Sequence, residues 1–301
     1  MAAGHFTNQV YGSGHSRIVR RMGVWGIVVN LLLSAVKCAL GVIGSSQAMI
    51  ADAVHSLSDS ASDLAMIIGV RYWAAPADKR HPYGHARIET MISMFIGVGL
   101  IGVALGIVYN AVRSLHTADS TAPGVSVLCG ALFAMLVKEG FYRWTVKLSR
   151  KADSRALLAN AWHHRTDALS SLPVVVAAGG AWLWPSLVYL DQAAAIVVAV
   201  LVLRGAWKIA RPAVRQLTDV GVTEEEMAEI RRLAGAVEGV HEVHGLRTRH
   251  IGPGIHVDLH ILVTSDMTVK KGHQVASDVE QALLDRHPRV VDVLVHLEPC
   301  D

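Results

Sequence analysis

The chain has 301 residues, of which 52% are hydrophobic and only 18% are charged, and its mean hydropathy is +0.37. Soluble domains carry about 25% charged residues, so these values indicate that part of the chain lies in a membrane, and they exclude a disordered protein. Three widely spaced cysteines exclude a disulfide scaffold. A net charge of +3 gives no reason to expect a nucleic-acid partner. The unusual feature is the number of histidines, which is 16.

Apolar runs in the first two thirds of the chain predict six membrane spans. A helix needs about 20 apolar residues to cross a bilayer. Four runs are clear, and a fifth contains a polar cluster rich in histidine. The second run is the least apolar, and we count it because its polar residues share one helical face. The predicted spans are 23–43, 47–73, 91–112, 124–144, 157–182 and 187–207.

The distribution of Lys and Arg predicts the orientation of these spans. The N-terminal segment and the connections after the second and fourth spans are rich in Lys and Arg, whereas the opposite side holds Arg113 alone. By the positive-inside rule, both termini are expected in the cytoplasm. The polar, basic start of the chain, 1–21, shows no cleavable signal peptide and is expected to be a cytosolic tail. A six-helix transmembrane domain is expected over 22–211.

After about residue 212 the sequence becomes polar, and no later run is long enough to span a membrane. Its periodicity predicts a helix at 224–236, strands at 240–249 and 255–263, a helix at 269–286 and a strand at 290–297. The order αββαβ predicts a small α+β domain of the ferredoxin or metallochaperone type over 212–301, with its helices on one sheet face. A domain of about 80 residues has a small core, which dimerisation or metal binding would supplement.

Two histidine–carboxylate pairs lie within the predicted spans. His55 and Asp59 are four residues apart on the second span, and His163 and Asp167 are four apart on the fifth. Residues at this spacing share one helix face. Two such helices facing each other supply two nitrogens and two oxygens, a tetrahedral set suited to Zn²⁺. The alternative is a pair of hydrogen-bonded interhelical contacts, but two copies on separate spans favour a metal site.

Other charged residues also lie in the predicted spans. Asp52 and Asp63 extend the face of His55 and Asp59, where they line an access route or lie in water near the span ends, and we do not predict them to be ligands. For Lys37, Lys138 and Glu139, which lie in apolar runs, the default expectation is snorkelling or interhelical pairing.

Two further groups outside the spans have the composition of metal sites. Asp78, His81 and His85, in the connection after the second span, have spacings short enough to converge on one cation, the alternative being a solvated loop. A second cluster is expected on one face of the C-terminal sheet, because alternate residues of a strand share a face. Its members are His244 on the first strand, His256, Asp258 and His260 on the second, and His296 and Glu298 on the third. The alternative is solvent-exposed histidines, which we expect for His241 and His287. Cys300 is a further soft donor, although a lone terminal cysteine is usually inert.

Four motifs resemble those of the cation diffusion facilitator family of six-span metal/proton antiporters. They are 51–59 (ADAVHSLSD), 81–85 (HPYGH), 160–167 (NAWHHRTD) and 246–249 (LRTR), and the resemblance extends from about residue 20 to 300. It implies a transporter and not an enzyme. The transporter is expected to form a homodimer in the membrane lipid and to exchange divalent metal ions for protons by alternating access.

The resemblance also implies roles for individual residues. The family's transport site matches His55, Asp59, His163 and Asp167. A loop site found in only some members matches Asp78, His81 and His85. A two-metal cytosolic site that tightens the dimer matches His244, His260, His273, His296 and Glu298, the last standing where a bacterial relative carries Asp. A charge pair matches Arg87 and Asp219, with Arg in place of the commoner Lys. His250 and His256 depart from the pattern and are expected to be accessory.

The expected cargo is Zn²⁺, because members with an all-carboxylate transport site favour Mn²⁺ and this site contains histidines. Cd²⁺, Fe²⁺, Co²⁺ and Mn²⁺ are the other candidate ions, and the alternatives are an iron- or manganese-selective member or a membrane metal sensor or scaffold without transport. A metallohydrolase is disfavoured, since the chain has no His-Glu-x-x-His motif and four protein ligands close a zinc site. The expected location is the bacterial inner membrane, with the C-terminal domain sensing cytosolic metal.

Overall fold

The computed structural model describes residues 15–73, 75–117, 123–151, 155–252 and 254–300. Most of the N-terminal tail expected at 1–21 therefore lies outside the described residues. The chain divides into two compact units. The first contains the described residues up to Ile68 together with Phe95–Ile209, and the second contains Gly69–Met94 and the described residues from Ala210 onward.

Long helices occupy all six predicted spans. They are α1 (His15–Ile43), α2 (Gln47–Trp73), α3 (Arg87–Thr117), α4 (Val125–Lys151), α5 (Arg155–Ser170), α6 (Leu172–Leu183) and α7 (Tyr189–Leu217). Among the described residues, five segments are long and apolar enough to cross a membrane: Val24–Ile43, Arg87–His116, Val125–Arg150, Ala161–Leu183 and Tyr189–Leu217. Helix α2 is not one of them because its polar residues lower its hydropathy, although its 27 residues extend for about 40 Å.

The fifth predicted span consists of two helices. Helix α5 ends at Ser170 and α6 begins at Leu172, with Pro173 in its first turn. Proline is tolerated in a first turn but would remove a hydrogen bond and clash with the preceding turn inside a continuous helix. The interruption therefore follows from the sequence, and it lies one turn after Asp167.

Small residues let the helices of the first unit pack closely around α2. Its core consists largely of alanine and valine, including Ala51, Ala131, Ala177 and Ala195, all at most 2% exposed. The start of α2 is fixed by Asp191 of α7, whose carboxylate accepts hydrogen bonds from Ser46 Oγ at 2.6 Å and from the Gln47 backbone N–H at 2.7 Å. A carboxylate at a helix N-terminus is also favoured by the helix dipole.

The second unit contains a three-stranded mixed sheet. Its elements are α8 (Glu224–Gly235), β1 (Glu242–Ile251), β2 (Gly254–Thr264), α9 (Val269–Arg286) and β3 (Val290–Cys300). The strand order is β1-β2-β3, with β1 and β2 antiparallel and β2 and β3 parallel. This arrangement confirms the αββαβ prediction.

One face of the sheet is apolar and covered by helices. Ile255, Val257, Leu259 and Ile261 of β2 are at most 1% exposed, and they belong to the same buried core as residues of α8 and α9. The alternate residues of β2 carry His256, Asp258 and His260 on the opposite face. The helices therefore lie on one sheet face and the predicted histidine cluster on the other.

Candidate metal centres

The first centre lies in the helical unit. His55 and Asp59 are one turn apart on α2, and each offers a ligand atom within 4.8 Å of the other and of a carboxylate oxygen of Asp167 on α5. Nδ1 of His163, one turn before Asp167, is 3.7 Å from its Oδ1. These four side chains line one cavity of about 540 Å³. We call this set of four residues the membrane centre.

The donors of the membrane centre suit a divalent cation. Nδ1 of His55 and Oδ2 of Asp167 are buried and make no hydrogen bond to any described residue. Unsatisfied buried polar atoms are costly, and a metal ion coordinated by imidazole nitrogens and carboxylate oxygens removes that cost. The side chain of His163 is 52% exposed, so the centre is open on one side.

Charged residues beside the membrane centre form ion pairs between helices. Lys37 of α1 lies 2.8 Å from Asp52 of α2, and neither side chain is exposed. Asp52 is therefore paired in the interior and is not solvated near a span end. Nζ of Lys138 is 3.7 Å from Asp167 Oδ2, so pairing rather than snorkelling describes both lysines. The side chain of Asp63 lies outside the described part of the chain.

Glu139 and His164 have structural environments distinct from the cavity. Glu139 accepts a hydrogen bond from Arg143 at 2.8 Å, one turn along α4. His164 is 4% exposed and its ring packs edge-on against Phe141, with the centroids 4.8 Å apart. His164 does not line the cavity that contains its neighbour His163.

The second centre is the loop before α3. Nitrogens of His81 and His85 each lie 3.4 Å from an oxygen of Asp78, and the two rings are in contact at a tilt of 45°, with centroids 4.3 Å apart. Asp78 accepts backbone hydrogen bonds from His81 at 2.7 Å and Arg80 at 2.8 Å. These N–H groups lower the pKa of Asp78 and keep it ionised. We call Asp78, His81 and His85 the loop centre.

Residues in and next to this loop contact C-terminal residues of the same unit. Arg87 donates a hydrogen bond to Asp219 at 2.8 Å, which is the predicted charge pair. Asp219 follows α7 with φ of +53°, a conformation that aspartate tolerates better than most residues. The Arg249 guanidinium lies 5.7 Å from the centroid of the Tyr83 ring.

The third centre is on the open face of the sheet. His260 Nδ1 donates to Glu298 Oε1 at 2.7 Å, and His244 Nε2 lies 3.1 Å from Oε2. The hydrogen bond from His260 is the largest of the effects that lower the pKa of Glu298. Ligand atoms of the three residues lie within 4.8 Å of one another. We call His244, His260 and Glu298 the tail centre.

The other predicted ligands lie at its margin or away from it. His296 is exposed, with Nε2 at 3.6 Å from Glu298 and its ring 4.8 Å from that of His260. His273 is exposed on α9 and lies outside the tail centre. His256 is instead paired with Asp292 at 3.1 Å, and Asp258 with Arg249 at 3.6 Å.

The remaining histidines of this unit serve structural contacts. His250 Nδ1 lies 3.4 Å from an Arg289 nitrogen, and His241 is exposed as expected. The expectation of a surface position for His287 is wrong, because this residue is 3% exposed and lies 3.7 Å from Glu226. It is buried because it terminates α9, where its backbone N–H bonds to Leu283, and the chain turns back there into the sheet.

Comparison with known proteins agrees with these features. Residues 24–218 match the cation efflux transmembrane domain, and residues 222–300 match the cytoplasmic domain of cation efflux proteins. The chain is 32% identical to metal tolerance protein C1 of Arabidopsis thaliana over 91% of this chain, but it spans only 61% of that protein. It is 28% identical to the manganese efflux system protein MneP of Bacillus subtilis, covering 95% of this chain and 98% of MneP.

A further relative is similar along nearly its whole length. The chain is 31% identical to the cation-efflux pump FieF of Citrobacter koseri, covering 97% of this chain and 95% of FieF. Both domains of the family are matched in their order along the chain. The protein is therefore a member of the cation efflux, or cation diffusion facilitator, family: an integral membrane transporter of divalent metal cations and not an enzyme.

Proposed function

We propose that this protein exports Zn²⁺ in exchange for protons through the membrane centre. The observation that supports this proposal is the meeting of two imidazoles and two carboxylates in one cavity lined by α2, α5 and α7. Imidazole with carboxylate suits Zn²⁺, whereas Mn²⁺ prefers oxygen ligands. Because MneP is named as a manganese efflux protein, Mn²⁺ is the competing cargo.

Proton exchange follows from the chemistry of the ligands. A bound metal needs neutral imidazoles and ionised carboxylates, so loading releases protons and protonation expels the metal. Histidine titrates near neutral pH. Exposure of the membrane centre to the cytoplasm would load metal, and exposure to a more acidic outer side would release it.

The rest of the chain has supporting roles in this proposal. Residues 22–211 transport the ion, while residues 212–301 lie in the cytoplasm, form the homodimer and respond to cytosolic metal through the tail centre. His273 and His296 remain predicted ligands for a second tail ion. Both termini lie in the cytoplasm, in agreement with the Lys and Arg distribution.

The test is metal flux into proteoliposomes with and without an imposed pH gradient. We expect gradient-dependent Zn²⁺ flux in the wild type, reduced at least about tenfold in His55→Ala, because a lost ligand weakens the site by at least as much as a lost supporting contact. His116→Ala is the matched control, since His116 lies exposed at the end of α3.

The flux series is repeated with Mn²⁺, Fe²⁺ and Cd²⁺. Wild-type flux of His55→Ala would refute the membrane centre as the transport site. Faster Mn²⁺ than Zn²⁺ flux would refute the assigned cargo, and flux insensitive to the gradient would refute antiport. Metal binding at the tail centre, with no flux of any of these metals, would favour a sensor or scaffold.

A further inference from the structure

Lys138 of α4 has no role in the proposed transport cycle, yet its ammonium group lies beside the membrane centre. Its side chain is 1% exposed, and its Nζ lies 3.7 Å from Asp167 Oδ2 and donates to Ser56 Oγ at 3.4 Å. Burying a charge is costly unless an opposite charge lies close. The carboxylate of Asp167 supplies that charge.

A second buried lysine does not compete for Asp167, because it has a closer partner. Lys37 lies 2.8 Å from Asp52, and it also donates to Ser56 Oγ at 3.1 Å and to Ser171 Oγ at 3.0 Å. Asp52 is thereby neutralised by Lys37. Ser56 contacts both ammonium groups, so the two ion pairs form one buried network.

The two pairs differ in how tightly they are held. The Lys37–Asp52 separation is that of a direct charged contact, whereas Lys138 and Asp167 are almost 1 Å further apart. Oδ2 of Asp52 and Oδ2 of Asp167 both make no hydrogen bond to any described residue, so the two ion pairs differ in the distance between their charges alone. The four-carbon stem of lysine is flexible, so Lys138 can withdraw from Asp167 and keep its contact with Ser56.

Building on the proposed transport site, we propose that Lys138 is an internal cation that the transported metal displaces from Asp167 and that returns when the metal leaves. Two cations close to the same carboxylate repel each other strongly in a poorly solvated interior. Lys138 is thus a positioning residue that weakens metal binding. A transport site benefits from this effect, because an ion that binds too tightly is not released.

The experiment uses the full chain in lipid nanodiscs and measures Zn²⁺ binding by titration calorimetry. The component of the isotherm lost in Asp59→Ala identifies the membrane centre, which separates it from the loop and tail centres. We expect this component to become tighter by about tenfold or more in Lys138→Met, because the competing charge is removed. In proteoliposomes the same variant is expected to lower both KM and kcat, since release becomes slower.

Matched variants separate this role from a structural one. Lys147→Met, an exposed lysine on the same helix, is expected to bind and transport like the wild type. Lys138→Gln removes the charge but keeps a hydrogen-bonding group for Ser56, and it carries the test if Lys138→Met does not fold. If Zn²⁺ binding in the Asp59-dependent component is unchanged or weaker in the folded variant, this inference is overturned but the proposed transport site is not. A wild-type isotherm with no Asp59-dependent component would overturn the transport site, and this inference with it.

Discussion

His256 shows how burial controls the protonation of a histidine that no candidate metal centre uses. Its side chain is 9% exposed, and Nδ1 lies 3.1 Å from Asp292. Burial lowers the pKa of His256 below its ordinary value of 6.5, with a smaller opposing effect from Asp292. The unfolded chain therefore binds this proton more readily than the folded one. The contribution of His256 to stability is therefore complete above 6.5, the pKa in the unfolded chain. It is lost as the pH falls from 6.5 through the lower pKa of the folded chain.

This sign gives a prediction for the C-terminal unit of the full chain. Between about pH 7.5 and 5.5, hydrogen-exchange protection of the β2 peptide, corrected for the intrinsic exchange rate, is expected to fall. It is expected to fall less in His256→Gln. Some dependence remains, because burial also lowers the pKa of His250. His241→Gln, at an exposed position, is the control, and equal pH sensitivity of both variants would contradict the assignment.

Close packing between elements depends on glycine at one contact of α4. A Cβ atom at Gly130 would overlap Leu40 Cδ1 of α1 and lie 3.3 Å from Met49 Cε of α2. Larger side chains there must separate α4 from the helix that carries His55. We expect Gly130→Leu to lower the free energy of unfolding by about 1–3 kcal/mol, as overpacked cores do.

Unfolding in detergent, followed by tryptophan fluorescence, measures this effect, since Trp25 lies on α1 and Trp144 on α4. Gly140→Leu on the same helix is the matched control, because a Cβ there meets nothing within 4 Å. The same change of residue type thus isolates the packing contribution. Helix propensity favours leucine over glycine at both positions, so an equal loss of stability in both variants would contradict the contact at Gly130 as its cause.

The same elements show which features are predictable from sequence. Helix periodicity and the i, i+4 spacing are local properties, so they predicted α2 and the shared direction of His55 and Asp59. The partner of Asp52 was not predictable, because the ion pair with Lys37 depends on the register between α1 and α2. The bulge in β1 is similar: the register shifts between His244 and Arg247, where Gly245 has φ of +56°. That shift changes where β1 places His244 relative to His260. It cannot be predicted from the alternation of side chains along a strand.

At the scale of the whole molecule, the candidate metal centres are distributed over both compact units. The membrane centre belongs to the first unit, and the loop and tail centres belong to the second. None of the three shares a ligand residue with another. Their occupancies are therefore separable by substitution, and any influence of one on another is a coupling free energy that acts equally in both directions.

This separation predicts that substitution of Glu298 affects metal binding at the tail centre, whereas substitution of Asp59 affects metal flux. Glu298→Gln removes a charged ligand from the tail centre, so tail Zn²⁺ binding is expected to weaken at least about tenfold. Flux at saturating Zn²⁺ is expected to stay close to that of the wild type, because a coupling free energy between the two centres changes affinity and the membrane centre is then already full. Asp59→Ala is expected to abolish flux and leave tail binding intact. Asp285→Asn, on the exposed side of α9, controls for loss of charge in the same unit.

If tail metal activates transport, Glu298→Gln raises the Zn²⁺ concentration for half-maximal flux without lowering the maximal flux. Loss of flux equal to that of Asp59→Ala would instead make the tail centre an obligatory part of the transport path.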